Sequence, residues 1–269
     1  LPHHLERVQA LVNLLAILPQ HLREQAIANA LTATQDIENP RARSRALALL
    51  GKHLPPTLHE RALTLAQELP QAQQRLDAFL GLLEGDAIVR DDDFVQTLLA
   101  TAQALPFDYK RAQALISLIP YMPAEALSAV ETMMADFVDA IDSANVSLKL
   151  IQQTPPDQRQ ARIAACWQAL QPIDDGYERA GVLARLAPHL PPASRDDVLK
   201  LAVACIEEVT DEYDRASVIT QLAPLVARVN DAPESPADLP DAMPDASTLY
   251  QRIIVQSLTC PPPEGIPIL

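Results

Sequence analysis

The chain has 269 residues, of which 48% are hydrophobic, 21% charged and 4% aromatic, a composition typical of folded proteins. Its 21 Lys and Arg against 35 Asp and Glu give a net charge of −14, which disfavours binding to nucleic acids or anionic membranes. Only six glycines and abundant Ala, Leu and Gln exclude most β-rich and Rossmann-type folds and favour an all-α chain.

The absence of a targeting signal and the pattern of cysteines favour a cytoplasmic location. No apolar stretch reaches the roughly 18 residues that a transmembrane helix needs, and the start LPHHLERVQA lacks the pattern of a secretory signal. The three cysteines, Cys166, Cys205 and Cys260, are an odd number without CxxC spacing, which is typical of a reducing compartment. Because the chain begins at Leu1 and not at Met, we expect it to be a segment of a larger polypeptide.

One spacing pattern recurs along the chain, in residues 7–19, 43–56, 111–123 and 179–192. An Arg opens each segment, apolar residues follow at four, seven and eleven positions, and a Pro closes it at twelve. These offsets place one apolar stripe along a helix of about three turns. Each segment is therefore predicted to be an amphipathic helix that ends at its proline.

The opening positions repeat at intervals of 36 or 32 residues: Arg7, Arg43, Arg75, Arg111, Ser147, Arg179 and Arg215. A second apolar stripe follows each closing proline, as in residues 191–209: Val198, Leu201, Ala202, Cys205, Ile206 and Val209. Proline suits the first turn of such a second helix. The predicted fold is all-α, an α-solenoid (right-handed superhelix) of about seven helix-turn-helix repeats of about 36 residues.

Two repeats deviate from the pattern. From Ser147 the prolines come four residues early, which predicts a first helix that is one turn short. After Arg75, Gly85 and the acidic run 91–93 replace the proline. Carboxylates favour the positive end of the helix dipole, so the run is predicted to cap a helix that begins near Phe94.

Composition divides the chain into three parts. Residues 1–229 are predicted to be the α-solenoid repeat domain. Residues 230–247, with four Pro and five acids, are predicted to be an acidic Pro-rich linker or insertion. Residues 248–269 are predicted to form a short terminal helix and an extended tail.

No catalytic, cofactor-binding or metal-binding residue is predicted. The chain has no GxSxG, GxGxxG or HExxH motif. His53 and His189 both precede LPP at a helix end, where a protonated imidazole would complement the helix dipole. Cys166 and Cys205 lie in apolar stripes without a nearby base, which predicts core packing.

A tyrosine stands two residues before three of the opening arginines, in the pairs Tyr109 and Arg111, Tyr177 and Arg179, and Tyr213 and Arg215. The favoured interpretation is a repeated clamp, in which each Arg binds nearby acids and the rings pack between repeats. The other is a row of Tyr and Arg that binds an extended peptide. The single tryptophan, Trp167, is predicted to pack in the core, with an exposed binding hot spot as the alternative.

The LAPHLPP and EYDRA elements, over about residues 1–226, resemble degenerate α-solenoid repeats of the HEAT and tetratricopeptide kind. They are similar to helical-repeat tracts of large bacterial multidomain proteins, including signal-transduction NTPases. The tetratricopeptide pattern of Trp, Leu-Gly, Tyr and Pro is absent, and the period is nearer 36 than 34. The resemblance implies binding to other proteins.

We therefore expect a non-enzymatic protein–protein interaction scaffold or sensor module without a cofactor. The acidic charge predicts a protein or peptide partner that is basic or neutral. The alternative is a lyase-like or other small-ligand-binding α-solenoid enzyme subunit, which a deep pocket of ionisable residues with shifted pKa values would indicate. Nucleic-acid-binding repeats are disfavoured because acids flank several opening arginines.

Overall fold

The computed structural model describes residues 4–85 and 91–230, apart from the side chains of 192–193 and 226–230. Within these residues the chain forms thirteen α-helices and six short 3-10 helices, and no strand. The all-α prediction is thereby confirmed. Of the predicted linker only Asn230 is described, as the last residue of a helix, and residues 231–247, the tail 248–269 and Cys260 lie outside the described residues.

The described residues form two compact units, which divide between Val138 and Asp139. Unit 1 contains α1 (His4–Leu14), α2 (Gln20–Gln35), α3 (Pro40–Leu50), α4 (His59–Gln67), α5 (Ala72–Leu83), α6 (Asp92–Gln103), α7 (Asp108–Leu118) and α8 (Leu127–Met134). Unit 2 contains α9 (Ala140–Gln153), α10 (Arg159–Leu170), α11 (Gly176–Leu186), α12 (Pro192–Glu208) and α13 (Glu212–Asn230). The 3-10 helices are Gly51–His53, Pro56–Leu58, Ile119–Tyr121, Ala124–Ala126, Pro156–Gln158 and Ala187–His189.

Helices of odd number, called first helices here, begin the predicted repeats, and those of even number are called second helices. In unit 1 the first helices pack in sequence, α1 on α3, α3 on α5 and α5 on α7. Each of α2, α4 and α6 packs against the first helices that precede and follow it. In unit 2, α11 packs against α9 and α13, α10 packs on α9, and α12 packs on α11 and α13.

Local sequence explains where the helices begin. Aspartates or asparagine cap four first helices, with side-chain oxygens that accept backbone N–H bonds: Asn39, Asp139, Asp175 and Asp211. Pro192 occupies the first turn of α12, as predicted for the second helices. Asp91 accepts a hydrogen bond from the Phe94 N–H at 2.9 Å, which confirms the predicted acidic cap of α6.

The prediction of a shortened first helix after Ser147 is wrong. Helix α9 has 14 residues, whereas α3, α7 and α11 have 11 each and continue in a 3-10 turn of three. The helix begins one turn earlier than the pattern indicated, so the opening position is Ser143, from which Pro155 lies at the usual offset of twelve. With this correction the successive intervals become 36, 32, 36, 32, 36 and 36 residues.

The buried faces follow most of the apolar stripes, but Leu14, seven residues after Arg7, is 43% exposed, and α12 deviates as well. Val198, Ala202, Cys205 and Ile206 are buried as predicted, but Leu201 is 40% exposed. Leu199 and Val203 are buried in addition, because α12 packs on both α11 and α13 and so buries a wider face than one stripe.

Candidate functional site

Three of the opening arginines bind carbonyls at the end of the preceding helix. Arg43 Nε donates to the Ile37 carbonyl at 3.0 Å, Arg75 Nη1 to Leu69 at 2.8 Å, and Arg215 Nη2 to Val209 at 2.7 Å. Each acceptor lies six residues before its arginine. These acceptors lie one or two residues after the last residue of the helix, so the guanidinium binds carbonyls of the turn that follows it.

Arg111 and Arg179 instead contact carboxylates. Arg111 Nη2 lies 2.9 Å from Asp108, and Arg179 Nη2 lies 3.4 Å from Glu208 at the end of α12. The Nε of each arginine is buried without a hydrogen-bond partner among the described residues. These two members of the predicted clamp thus pair with carboxylates, whereas Arg215 binds a backbone carbonyl.

A second set of basic side chains, which the sequence patterns did not indicate, occupies the turn inside the repeats. Arg23, Arg159 and Arg195 donate to the carbonyls of Leu18, Thr154 and Leu190, each five residues earlier, and a His59 ring nitrogen lies 3.3 Å from the Leu54 carbonyl. All four stand sixteen residues after an opening position once Ser143 replaces Ser147. With Ser147 as the opening position, Arg159 lies only twelve residues after it, so the common spacing of sixteen residues is not visible.

The tyrosines of the predicted clamp do not form a buried series. Tyr109 and Tyr213 are 49% and 68% exposed, and the Tyr109 ring stacks on Phe107 with centroids 5.8 Å apart. Tyr177 is partly buried and packs against the core of unit 2. Rings at two of the three positions therefore face solvent instead of packing between repeats.

His189 does not carry the protonated cap that its position suggested. Burial lowers the pKa of His189, and the positive charge of Arg159 lowers it further. Arg195 donates to the carbonyls of Ala187 and Leu190 at 3.2 Å in each case, so an arginine caps this helix end.

The two described cysteines are core residues, as predicted. Cys166 and Cys205 are both buried, and burial raises the pKa of Cys166 to about 12. Burial also raises the pKa of Cys205, with Arg179 acting in the opposite direction. A neutral, buried thiol is a poor nucleophile, so neither side chain offers covalent catalysis.

Unit 2 contains an apolar groove, which lies between the second helices α10 and α12. This apolar groove has a volume of about 450 Å³. It is lined by Gln160, Ile163, Ala164, Trp167, Gln168, Leu186, Leu190, Pro191, Ser194, Asp197 and Val198. Asp197 is the one charged residue among these, so the groove offers an apolar surface with a polar rim.

Trp167 lies in the apolar groove and is 37% exposed, so the favoured prediction of a core tryptophan is wrong. The neighbouring Cys166 occupies the core position of α10. Successive residues on a helix are rotated by about 100°, which turns Trp167 away from the α9 side and towards α12.

The second groove, called the polar groove, lies between the first helices α9, α11 and α13 and has a volume of about 410 Å³. It is lined by Ile141, Asn145, Tyr177, Glu178, Gly181, Arg185, Val218 and Gln221. Arg185 is held in it by hydrogen bonds from Nε to the Gly181 carbonyl at 3.0 Å and from Nη2 to Asn145 Oδ1 at 2.9 Å.

Both charged groups of the polar groove have shifted pKa values. Partial burial raises the pKa of Glu178, and the carboxylates of Asp175, Asp139 and Asp142 raise it further. Burial lowers the pKa of Arg185. Within the described part of the chain, no side chain forms a hydrogen bond or ion pair with the Glu178 carboxylate.

In residues 4–85 and 91–230, no three His, Cys, Asp or Glu side chains are grouped so that they could hold a metal ion. None of the described helices is both long and apolar enough to cross a membrane. No protein-family model matches the chain, and no curated protein or solved structure gives a significant match.

Proposed function

We propose that this chain is a non-enzymatic helical-repeat module that binds another protein, and that the apolar groove is its recognition surface. The observation that carries the proposal is the position of Trp167, a large side chain left 37% exposed among apolar neighbours. Tryptophan is enriched among the residues that dominate binding energy at protein interfaces.

The packing pattern supports the repeat part of this proposal. In unit 1, α2, α4 and α6 each contact the two flanking first helices, and in unit 2 α12 contacts α11 and α13 while α10 packs on α9. Successive first helices also contact one another within each unit. Such packing of helices on their chain neighbours supports the proposed α-solenoid, right-handed and of about seven repeats. By its resemblance to bacterial repeat tracts, we further propose that the module serves as a scaffold or sensor segment of a larger cytoplasmic protein.

The proposed occupant is an amphipathic helix of the partner with a neutral or positive net charge. A groove between two helices accommodates a third helix whose apolar side chains recur at intervals of three and four. The chain carries a net charge of −14 and Asp197 lies at the groove, so an acidic helix would be repelled.

A lyase-like or other small-ligand-binding enzyme subunit is the alternative, and the ionisable groups of the polar groove favour it. Glu178 and Arg185 both have shifted pKa values there. We prefer the non-enzymatic proposal because both described thiols are buried and protonated, which makes them poor nucleophiles. The charged groups of the polar groove can bind a ligand without catalysing a reaction.

The test uses a display library of helical peptides that lack tryptophan, so that emission comes from Trp167 alone. We expect selected peptides to have an apolar face and a neutral or positive charge, and to shift the Trp167 emission to shorter wavelength. Trp167→Ala should weaken binding of labelled peptides at least about tenfold, a typical hot-spot loss.

Leu201→Ala is the matched control, because Leu201 lies on α12 with a similar exposed fraction, 40%, but does not line the groove. It should leave binding unchanged. Equal binding by wild type and Trp167→Ala, or selection of acidic peptides, would contradict the proposal.

A further inference from the structure

The polar groove contains a glycine that the packing of the protein does not require. Gly181 is in the interior of α11, where glycine destabilises a helix by about 1 kcal/mol relative to alanine. A Cβ at Gly81 would collide with Ala48, and one at Gly176 would lie 2.7 Å from the Cys205 carbonyl oxygen. A Cβ at Gly181 would meet nothing within 4 Å, so the missing side chain only keeps the groove open.

Two opposite charges lie on either side of this open position. Glu178 and Arg185 are seven residues apart on α11, or about 10 Å along the helix axis at 1.5 Å per residue. The Glu178 carboxylate has no hydrogen-bond or ion-pair partner among the described side chains. Arg185 has about five N–H donors, of which those to Gly181 and Asn145 are engaged, so others are available to an anion.

We propose that the polar groove binds a short free peptide of about three residues, with its N-terminal ammonium at Glu178 and its C-terminal carboxylate at Arg185. An extended chain spans about 3.3 Å per residue, so three residues match the separation of positions 178 and 185 along the helix axis. The peptide backbone would pass Gly181 on the side where a Cβ would meet nothing within 4 Å, with the Arg185 guanidinium beside it. The proposal concerns a ligand and a groove distinct from those of the proposed protein-binding function.

The polar lining of the groove suits a peptide backbone. Asn145 accepts from Arg185 through Oδ1 and keeps its NH₂ group, and Gln221 and Tyr177 add further donors and acceptors. Ile141 supplies apolar surface for a small side chain. Because the contacts would go to the two ends and the backbone, the groove would select peptide length more than sequence.

The experiment is an isothermal titration of the full chain with trialanine, N-acetyl-trialanine and trialanine amide. We expect trialanine to bind, and loss of either terminal charge to weaken binding at least about tenfold. Gly181→Leu should abolish binding by filling the groove, while Gly181→Ala, a smaller change at the same position, should retain more of it. Glu178→Gln should weaken binding of trialanine but leave that of the acetylated peptide unchanged.

Urea unfolding of each variant verifies that the fold is intact, which we expect because both Ala and Leu favour helix over Gly. The inference is overturned if wild type does not bind trialanine at millimolar concentration, or if the capped peptides or the Gly181→Leu variant bind equally well. Such a result leaves the Trp167 emission experiment unaffected, since that experiment probes the other groove and a different class of ligand.

Discussion

At the residue scale, the arginines near the helix starts oppose the dipole of their own helix but complement that of the preceding one. Arg43, Arg75 and Arg215 reach back six residues to carbonyls, and Arg23, Arg159 and Arg195 reach back five. The accepting carbonyls lie just after the preceding helix, and a cation is favoured near this negative end of its dipole. In each of these six turns, one arginine side chain thus connects the start of a helix to the end of the preceding one.

This arrangement predicts unequal effects of removing the opening arginines. Arg215→Met should lower the free energy of unfolding by about 1.5–3 kcal/mol, the range for hydrogen bonds that involve a charged group. Arg179→Met should cost less than about 1 kcal/mol, since its contact with Glu208 is a 3.4 Å ion pair at an exposed carboxylate. Urea unfolding measures both values. Equal losses in the two variants would show that the carbonyl contacts are not the source of stability.

The buried thiols give a second prediction at this scale. With a pKa of about 12, Cys166 is almost entirely protonated at pH 8, so iodoacetamide should modify it very slowly in the folded protein. In urea, the rate should rise by two or more orders of magnitude as burial is lost. Mass spectrometry of the peptide that contains Cys166 provides the measurement. Rapid alkylation of Cys166 without denaturant would mean that the thiol is not buried.

At the scale of elements, glycines set how closely the first helices approach. A Cβ at Gly51 would collide with the Gly81 carbonyl oxygen, and a Cβ at Gly81 would collide with backbone and side chain of Ala48. Helices α3 and α5 are therefore in backbone contact, which a larger side chain at either position would prevent.

Two Gly→Ala substitutions, at positions 81 and 181, separate the effect of close packing on stability from the effect of helix propensity. Gly81→Ala should destabilise the protein by about 2 kcal/mol or more, because overpacking forces the two backbones apart. Gly181→Ala should stabilise it by about 0.5–1 kcal/mol, because helix propensity improves and no contact is strained. Chemical denaturation gives both values, and a gain in stability for Gly81→Ala would be inconsistent with the close contact.

The sequence predicted the helices and their periodicity better than the two grooves. Prolines and apolar offsets act locally, so they marked the ends of α3, α7 and α11 well. The interval of 36 residues from Arg111 predicts an opening at Ser147, but α9 begins at Ala140 and opens at Ser143. The surroundings of Trp167 depend on how far α10 and α12 lie apart, which neither helix encodes alone. The same holds for the polar groove, whose lining comes from α9, α11 and α13.

At the scale of the molecule, corresponding residues of successive first helices occupy corresponding environments. In unit 2, Val182, Leu183 and Leu186 of α11 are buried, and so are Val218, Ile219 and Leu222 of α13, each 36 residues later. Asp175 and Asp211 cap the same two helices. If each repeat packs only on the repeats next to it, α13 could take the place of α11 against α9, because it carries the same buried side chains.

Excision of residues 175–210, one repeat of 36 residues, tests this most directly by circular dichroism during urea unfolding. The account predicts a shortened protein whose mean helicity per residue is unchanged and which unfolds cooperatively, because Asp211 and the buried face of α13 take over from Asp175 and α11. A protein that lacks only residues 191–210, and so loses α12 but keeps α11, should be much less stable than the protein that lacks the whole repeat. Loss of cooperative unfolding after the 36-residue excision, or equal stability of the two deletions, would contradict the repeat arrangement.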